Sequence, residues 1–257
     1  MAKKKVIIFI DGGLCSQMLF FALGMFFEHH GYDVKYDLSW FCKYGKDNDN
    51  RFDRSFAMDR AFPTLKYNVA SRFMVWIYRH LFKKKWSIDN LPRHLYVCGY
   101  FELRGESFIK YKDVFIKHFN PVDLYLVQDL LDEIQNTESC AVHVRRGDLA
   151  KYDPVYGMPP SAEQFVRAIN YVLAQKPKSV FYFFSDEIDF VKESIIPLLN
   201  KKIKYKICDK NGSDKGYLDF YLIAHAKSVI AGQGSFGKKA KELNTTPGLL
   251  FVSTYDF

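Results

Sequence analysis

The sequence predicts an α/β protein of two halves, each built on a mainly parallel sheet. Three observations lead there. Short apolar runs rich in Val, Ile and Phe alternate with longer helix-like stretches, the pattern of strands joined by crossover helices. Glycine turns follow two of the strand-like runs and lead straight into helices, at Asp11-Gly12-Gly13 and at Gly232–Gly237. A fresh strand–helix series starts after Glu138, so the junction is expected within about 120–138 and the halves span 1–130 and 131–257. A chain of 257 residues is long enough for two compact domains.

In the first half, Val6–Ile10 reads as a buried strand and residues 17–30 (QMLFFALGMFFEHH) as a helix. Tyr32–Lys35 reads as a second strand, and the polar segment 42–62 as loop or short helices. Residues 70–86 (ASRFMVWIYRHLFKKKW) have the pattern of a basic amphipathic helix, and LYVCGYF at 95–101 that of a strand. Helices are expected over 106–118 and 122–135, with Asn120-Pro121 breaking between them. In the second half, SCAVHV ends at Val144 as a strand and Arg145–Gly157 is a loop. Ser161 is placed to start a helix, with Glu163 behind it, that runs to about Gln175. SVFYFFS (179–185) is a strand, followed by Asp186-Glu187 and a helix to about Leu199. KIKYKIC (202–208) is a strand, Leu218–Ala226 a helix and SVIAG (228–232) a short strand. A last helix follows Gly237, and LLFV (249–252) closes the series. Strands that alternate with helices make parallel sheets.

A net charge of +8 suits an anionic partner: nucleic acid, a membrane surface or a phosphorylated small molecule. The positive charge is spread along the chain and no RNA- or DNA-binding signature occurs, so nucleic acid is not expected as a partner. The five cysteines (Cys15, Cys42, Cys98, Cys140, Cys208) are far apart and form no CxxC pair. Reduced, mostly buried thiols are expected, and no zinc site. The apolar run Val6–Ile10 is too short for a signal-peptide core or a membrane span, and no other run approaches spanning length. A cytoplasmic location is therefore expected.

Four places could carry chemistry. The first is His143-Val144-Arg145-Arg146-Gly147-Asp148, at the carboxyl end of a strand, where ligands of open α/β sheets bind. Adjacent guanidiniums repel unless an anion is near, and the planar fork of arginine matches phosphate oxygens. His143 can hydrogen-bond a base or a phosphate, and Asp148 can orient an arginine or a substrate hydroxyl. The alternative is a surface loop in which Asp148 pairs Arg146; the position at a strand end favours the anion site. The second is the turn GQGSFG (232–237), whose backbone N–H groups at a helix start attract phosphate and where Ser235 adds a hydroxyl. It is not a P-loop, and an ordinary glycine turn is the alternative. The third is Asp219, before the helical FYLIAHA, either a helix cap or a carboxylate acceptor for the paired N–H groups of a base edge; Asp186 is likewise a cap or a ligand contact. The fourth is DGGLCSQM (11–18), where Gly12 and Gly13 allow close approach of a ligand or serve a packing turn.

Taken together these stretches resemble the α1,2-fucosyltransferases of glycosyltransferase family 11 and their α1,6- and protein O-fucosyltransferase relatives. HVRRGDL is similar to that family's HxRRGDY signature, with Leu149 for the tyrosine. DFYLIAHAKSVIAGQGSFG (219–237) resembles its later block, FYFFSDEIDFVKE (181–193) its middle block, and LYVCGYFELRGESF (95–108) a GYFQS-like segment. The opening turn departs from the family's Gly-x-x-Gly-Asn-Gln: Cys15 stands for the second glycine and Ser16 for the asparagine, while Gln17 is kept.

The resemblance implies a GT-B fold, two Rossmann-like halves facing across a cleft. The first half would be the acceptor side and the second would bind the nucleotide sugar. It implies inverting transfer of L-fucose from GDP-β-L-fucose to a glycan hydroxyl, O2 of a β-galactoside in a free or lipid-linked acceptor. His143 and Asp219 would read guanine, and Arg145 and Ser235 would hold the diphosphate with Phe236 beside it. Arg146 and Asp148 would shape the loop, Asp186 would join the donor site, and Gly12, Gly13, Ser16 and Gln17 would line the cleft. Arg145 and Asp148 carry the chemistry in this assignment, because a guanidinium binds the charge that develops on the departing GDP. No metal or other cofactor is then required, and no DxD-type carboxylate pair fit to hold a metal is found. Asp11, Asp148 and Glu28 are the carboxylates available as general base, and none is singled out. The Cys15-Ser16 departure leaves open a divergent transferase with another donor, or a nucleotide-sugar-binding protein without turnover. Residues 70–86 either pack their apolar face on the core, the preferred reading, or lie peripherally at an anionic inner membrane face.

Overall fold

A computed structural model of the chain describes residues 3–43, 46–47, 52–99, 103–147, 158–232 and 234–257. It divides into two compact units, Met1–Phe119 and Asn120–Phe257. The strands in chain order are β1 (Lys4–Phe9), β2 (Tyr32–Asp37), β3 (Lys46–Asp47), β4 (Phe52–Asp53), β5 (His94–Val97), β6 (Ser139–Val144), β7 (Val180–Ser185), β8 (Lys204–Ile207), β9 (Ser228–Ala231) and β10 (Leu250–Ser253).

The first unit is built on a parallel sheet of order β2-β1-β5. Only the two-residue pair β3–β4 is antiparallel among the described strands. The helix Leu14–His29 joins β1 to β2 and is buried nearly all round. Its largely apolar sequence follows from position: it packs against β1 and β2 and against the helix Leu103–His118. Tyr36 stacks on Phe21 with ring centroids 4.3 Å apart, which ties β2 to that helix.

The second unit is a five-stranded parallel sheet of order β10-β9-β6-β7-β8. Its central strand β6 is buried at every residue, the expected state of a parallel strand covered on both faces. The helix Ala162–Gln175 buries Phe165, Ile169 and Val172 against Val142, Val144, Phe181 and Ile230. Its start is a capping box: the Ser161 hydroxyl accepts from the Gln164 N–H, and the Gln164 side chain accepts from the Ser161 N–H. The edge strand β8 keeps Lys204, Tyr205 and Lys206 exposed, and lysines on an edge discourage pairing with another chain.

Both main sheets are parallel as expected, but four local readings change. The boundary lies at Phe119/Asn120 and not at 130, because the helix Gln128–Asn136 belongs to the second unit: it buries Leu131 and Ile134, and Glu133 accepts from the Tyr182 hydroxyl. The basic helix is shorter than 70–86, running over Arg72–Leu81, because the Phe82 carbonyl already accepts from the Tyr96 N–H of β5. The helix expected up to Leu199 is irregular over Ile188–Leu198, and Pro197 within it has no N–H to continue a regular ladder. The helix expected at Leu218–Ala226 runs over Gly216–Ile223, drawn earlier by the burial of Tyr217 and Leu218.

All five cysteines are free thiols, and Cys15, Cys140 and Cys208 are buried. Among the described residues no helix is long and apolar enough to cross a membrane.

Candidate functional site

The order β10-β9-β6-β7-β8 means that the chain leaves β6 toward β7 on one side and returns as β9 on the other. The loops after β6 and β9 therefore diverge at a topological switch point, the place where open α/β sheets bind ligands. His143 on β6 pairs with Ala231 on β9, and Val144 pairs with Ser185 on β7. This register brings His143, Arg145 and Arg146 together with Asp186 and the turn that precedes Phe236. Asp148 lies outside the described residues, as does Gln233.

The adjacent arginines are kept apart by different partners. The Arg145 Nη1 lies 2.5 Å from the Asp186 carboxylate. The other oxygen of Asp186 accepts from the Arg146 backbone N–H at 2.9 Å. The Arg146 guanidinium instead lies 3.8 Å from the Phe190 ring centroid, donates to the Pro160 carbonyl at 3.2 Å and sits 3.7 Å from Glu187. The anion that relieves the arginine pair is thus Asp186, which neither caps a helix nor was expected next to Arg145. Gly147 makes room for it: a Cβ there would lie 2.5 Å from the Asp186 Oδ2. Arg146 is fixed as the support of the loop, and Arg145 pairs with the Asp186 carboxylate.

On the β9 side, the Phe236 ring stacks on the His143 imidazole with centroids 5.0 Å apart and planes at 22°. Phe220 meets Phe236 edge-on at 5.0 Å. The imidazole is buried, and its Nδ1 has no hydrogen-bond partner. Burial, reinforced by the neighbouring Arg145 charge, pushes its pKa down to about 3, so the ring is neutral. A buried neutral ring nitrogen without a partner is a polar group held ready for one. Ser235 precedes the helix Phe236–Leu243, is exposed, and makes no side-chain cap. Gly237, read from sequence only as part of a turn, is what allows this packing: a Cβ there would lie 2.7 Å from the Ala231 Cβ and 3.3 Å from the His143 Nδ1. Gly237→Ala is expected to cost about 1–3 kcal/mol in a urea titration by overpacking. An unchanged midpoint would contradict the close approach.

Asp219 lies inside the first turn of the helix Gly216–Ile223, not ahead of it. Its carboxylate accepts from the Asn211 amide at 2.7 Å rather than capping the helix. Burial pushes its pKa up to about 7, against the lowering effect of the Asn211 bond. A carboxylate held this close to neutrality is poised for a ligand that donates to it. Asn211 carries no local sequence signal because it lies in a polar loop, and Phe190 falls within the 181–193 block without being marked there as a partner of Arg146.

In the first unit the glycine turn is a pinned loop. Gly12 has φ +75°, and Gly13 precedes the helix Leu14–His29 in extended backbone. Gln17 is fully buried; its amide donates to the Gly12 and Ser55 carbonyls, and its oxygen accepts from the Ala57 N–H. Gln17 therefore holds the turn, with both amide N–H groups spent on backbone carbonyls. The buried Ser16 hydroxyl has no partner. Glu28 sits in the last turn of this helix, on the order of 20 Å along its axis from the glycine turn, so it is not a base for chemistry there. A concavity of about 370 Å³ lined by Phe21, Glu28, Tyr36, Tyr67 and Tyr111 includes none of the residues at the glycine turn or the switch point. No cluster of three or more His, Cys, Asp or Glu among the described residues is placed to hold a metal ion.

Solved structures share this fold. A structure of POFUT1 in complex with GDP matches with a TM-score of 0.52 at 11% identity, over 97% of this chain and 99% of that one. An Arabidopsis thaliana FUT1 variant in complex with GDP matches with a TM-score of 0.55 at 12% identity, over 98% of this chain and 70% of that one. The fold is thus GT-B-like, with two parallel-sheet α/β units. An Escherichia coli protein named alpha-1,2-colitosyltransferase is 26% identical over 133 residues, 50% of this chain; the match spans 44% of that relative's length. The sequence model of glycosyl transferase family 11 matches residues 54–254, which include the whole switch point but not the glycine turn. With most of the chain matched, including the HVRR stretch and the later Asp219–Gly237 block, this protein belongs to glycosyl transferase family 11.

Proposed function

We propose that the chain is an inverting glycosyltransferase that moves L-fucose from GDP-β-L-fucose to a hydroxyl of a glycan, O2 of a β-galactoside. The observation that carries this is the switch point of the second unit. A neutral buried imidazole with an unpartnered Nδ1, an arginine at the strand end and an uncapped helix start converge there. In this reading His143 and the Asp219 carboxylate contact guanine. The diphosphate lies between Arg145, the Ser235 hydroxyl and the backbone N–H groups that begin the helix Phe236–Leu243. As the sugar–oxygen bond breaks, negative charge grows on the leaving phosphate. Arg145 then binds more tightly in the transition state than in the ground state, which is what accelerates the step. Arg146 and Asp186 hold the loop so that Arg145 is already in place. The reaction needs no metal ion in this proposal, and turnover unchanged by a chelator is the expected result.

A second donor is kept in view because the Escherichia coli relative is named for colitose transfer. Calorimetric titration with GDP, UDP and CDP tests the base reading, and transfer from GDP-fucose and GDP-colitose to a panel of β-galactosides tests the sugar. GDP is expected to bind at least tenfold more tightly than UDP or CDP, since leaving buried polar groups unpaired is costly. Equal binding of UDP would sink the guanine assignment. GDP binding without transfer of either sugar would make the chain a nucleotide-sugar-binding protein.

A further inference from the structure

The helix Arg72–Leu81 has two apolar faces, and only one of them is used. Ser71 caps its start by accepting from the Met74 N–H. Met74, Val75, Ile77 and Tyr78 pack on Ile7 and Tyr96. Arg79 locks the orientation, donating to the buried Asp37 at 2.9 Å and to the Tyr96 hydroxyl at 3.2 Å. The remaining apolar side chains project into solvent: Phe73 is 70% exposed, Trp76 60% and Leu81 69%. Val69 and Ile88, just before and after, are also exposed. Arg72 and His80 flank Trp76 at helical spacing, and Lys83, Lys84 and Lys85 follow the helix, all exposed. Residues 60–88 contain seven Lys or Arg and no Asp or Glu.

We propose that this face seats the protein on an anionic lipid bilayer, with Phe73, Trp76 and Leu81 in the interface and Arg72 and Lys83–Lys85 against the headgroups. Charge complementarity selects the occupant: exposed Arg72 and Lys83–Lys85 beside the exposed apolar side chains want a negatively charged surface. The apolar chemistry selects the bilayer among such surfaces. Trp and Phe partition to the headgroup boundary, and the exposed aliphatic Leu81 of the same helix suits acyl chains but gives nucleic-acid bases nothing to stack on. Large side chains this exposed on one short helix, Phe73, Trp76 and Leu81, mark an interaction site rather than ordinary surface. The face lies wholly in the first unit and stands independently of the donor assignment.

Co-sedimentation with vesicles tests it. The protein is expected to bind mixed phosphatidylglycerol–phosphatidylcholine vesicles and not pure phosphatidylcholine ones, with binding weakened by salt. Replacing Lys83, Lys84 and Lys85 by Gln should weaken binding by about tenfold to hundredfold. The double variant Phe73→Ser, Trp76→Ser should weaken it at least tenfold while the urea midpoint and GDP titration stay unchanged. Absence of binding to the anionic vesicles at low salt overturns the proposal, as does binding indifferent to the double variant. Self-association by sedimentation velocity that the double variant abolishes, without vesicle binding, would make the face a contact between copies. Tighter binding of a single-stranded oligonucleotide than of anionic vesicles would assign it to nucleic acid.

Discussion

Arg145→Ala is expected to lower kcat/KM for sugar transfer by about 10²- to 10³-fold and to weaken GDP binding by at least tenfold, in calorimetry and in a coupled GDP-release assay. Two effects add. The guanidinium that would meet the diphosphate is removed, and the Asp186 carboxylate that it neutralises at 2.5 Å is left behind. A bare carboxylate beside the phosphate subsite repels the ligand as well as failing to bind it. Asp186→Asn in the Arg145→Ala background is therefore expected to restore part of the GDP affinity, a coupling readable in a double-mutant cycle. The Asn still accepts from the Arg146 N–H through its carbonyl, so the loop is retained. Arg145→Lys keeps the charge but loses the fork and should fall between wild type and alanine. Stability should barely move, because both partners of the pair are partly exposed, at 23% and 26%, and such pairs contribute about 1 kcal/mol or less. Unaltered kcat/KM in Arg145→Ala would remove Arg145 from the mechanism and leave it a structural role beside Asp186.

How much of this was legible in the chain follows from the range of the forces involved. SCAVHV announces β6 because a strand buried on both faces must be apolar along its whole length, and the observed strand is Ser139–Val144. The Ser161 cap was legible as well, because capping is local; its reciprocal partner in the capping box is Gln164. The Arg145–Asp186 pair was not, since 41 positions separate the two and only the β6–β7 register brings their strand ends together. Asp219 was misplaced because a cap and a first-turn carboxylate look alike in sequence, and burial of Tyr217 and Leu218 decided the helix start. Residues 70–86 read in sequence as a helix that either packs its apolar face on the core or lies at an anionic membrane face. The helix packs one face and frees the other, and periodicity does not say how wide a stripe the core will cover.

Asp219→Asn gives the other large expected effect, and it separates recognition from stability. The folded carboxyl titrates at about 7, raised from 3.8 by burial. A raised carboxyl pKa means that the folded state holds its proton more tightly than the unfolded chain does. The stability that this proton contributes is complete below pH 3.8 and is lost as pH rises through 7. Asp219→Asn removes the buried charge, so the ligand-free variant should be more stable than wild type at pH 8 by about 1–2 kcal/mol in urea titrations, with little difference at pH 4. Recognition runs the opposite way. A guanine edge that offers two N–H donors needs the ionised carboxylate, so wild-type GDP affinity should rise between pH 6 and pH 8, approaching tenfold per unit below pH 7. Asp219→Asn should flatten that dependence, weaken GDP at least tenfold at pH 8, and bind inosine diphosphate, which lacks the exocyclic amine, as well as it binds GDP. Full discrimination between the two nucleotides in the variant would show that Asp219 does not touch the base. A variant no more stable than wild type at pH 8 would show that Asn211 already compensates the buried charge. Stabilisation together with lost discrimination is the signature of a carboxylate kept at an energetic cost for the ligand it reads.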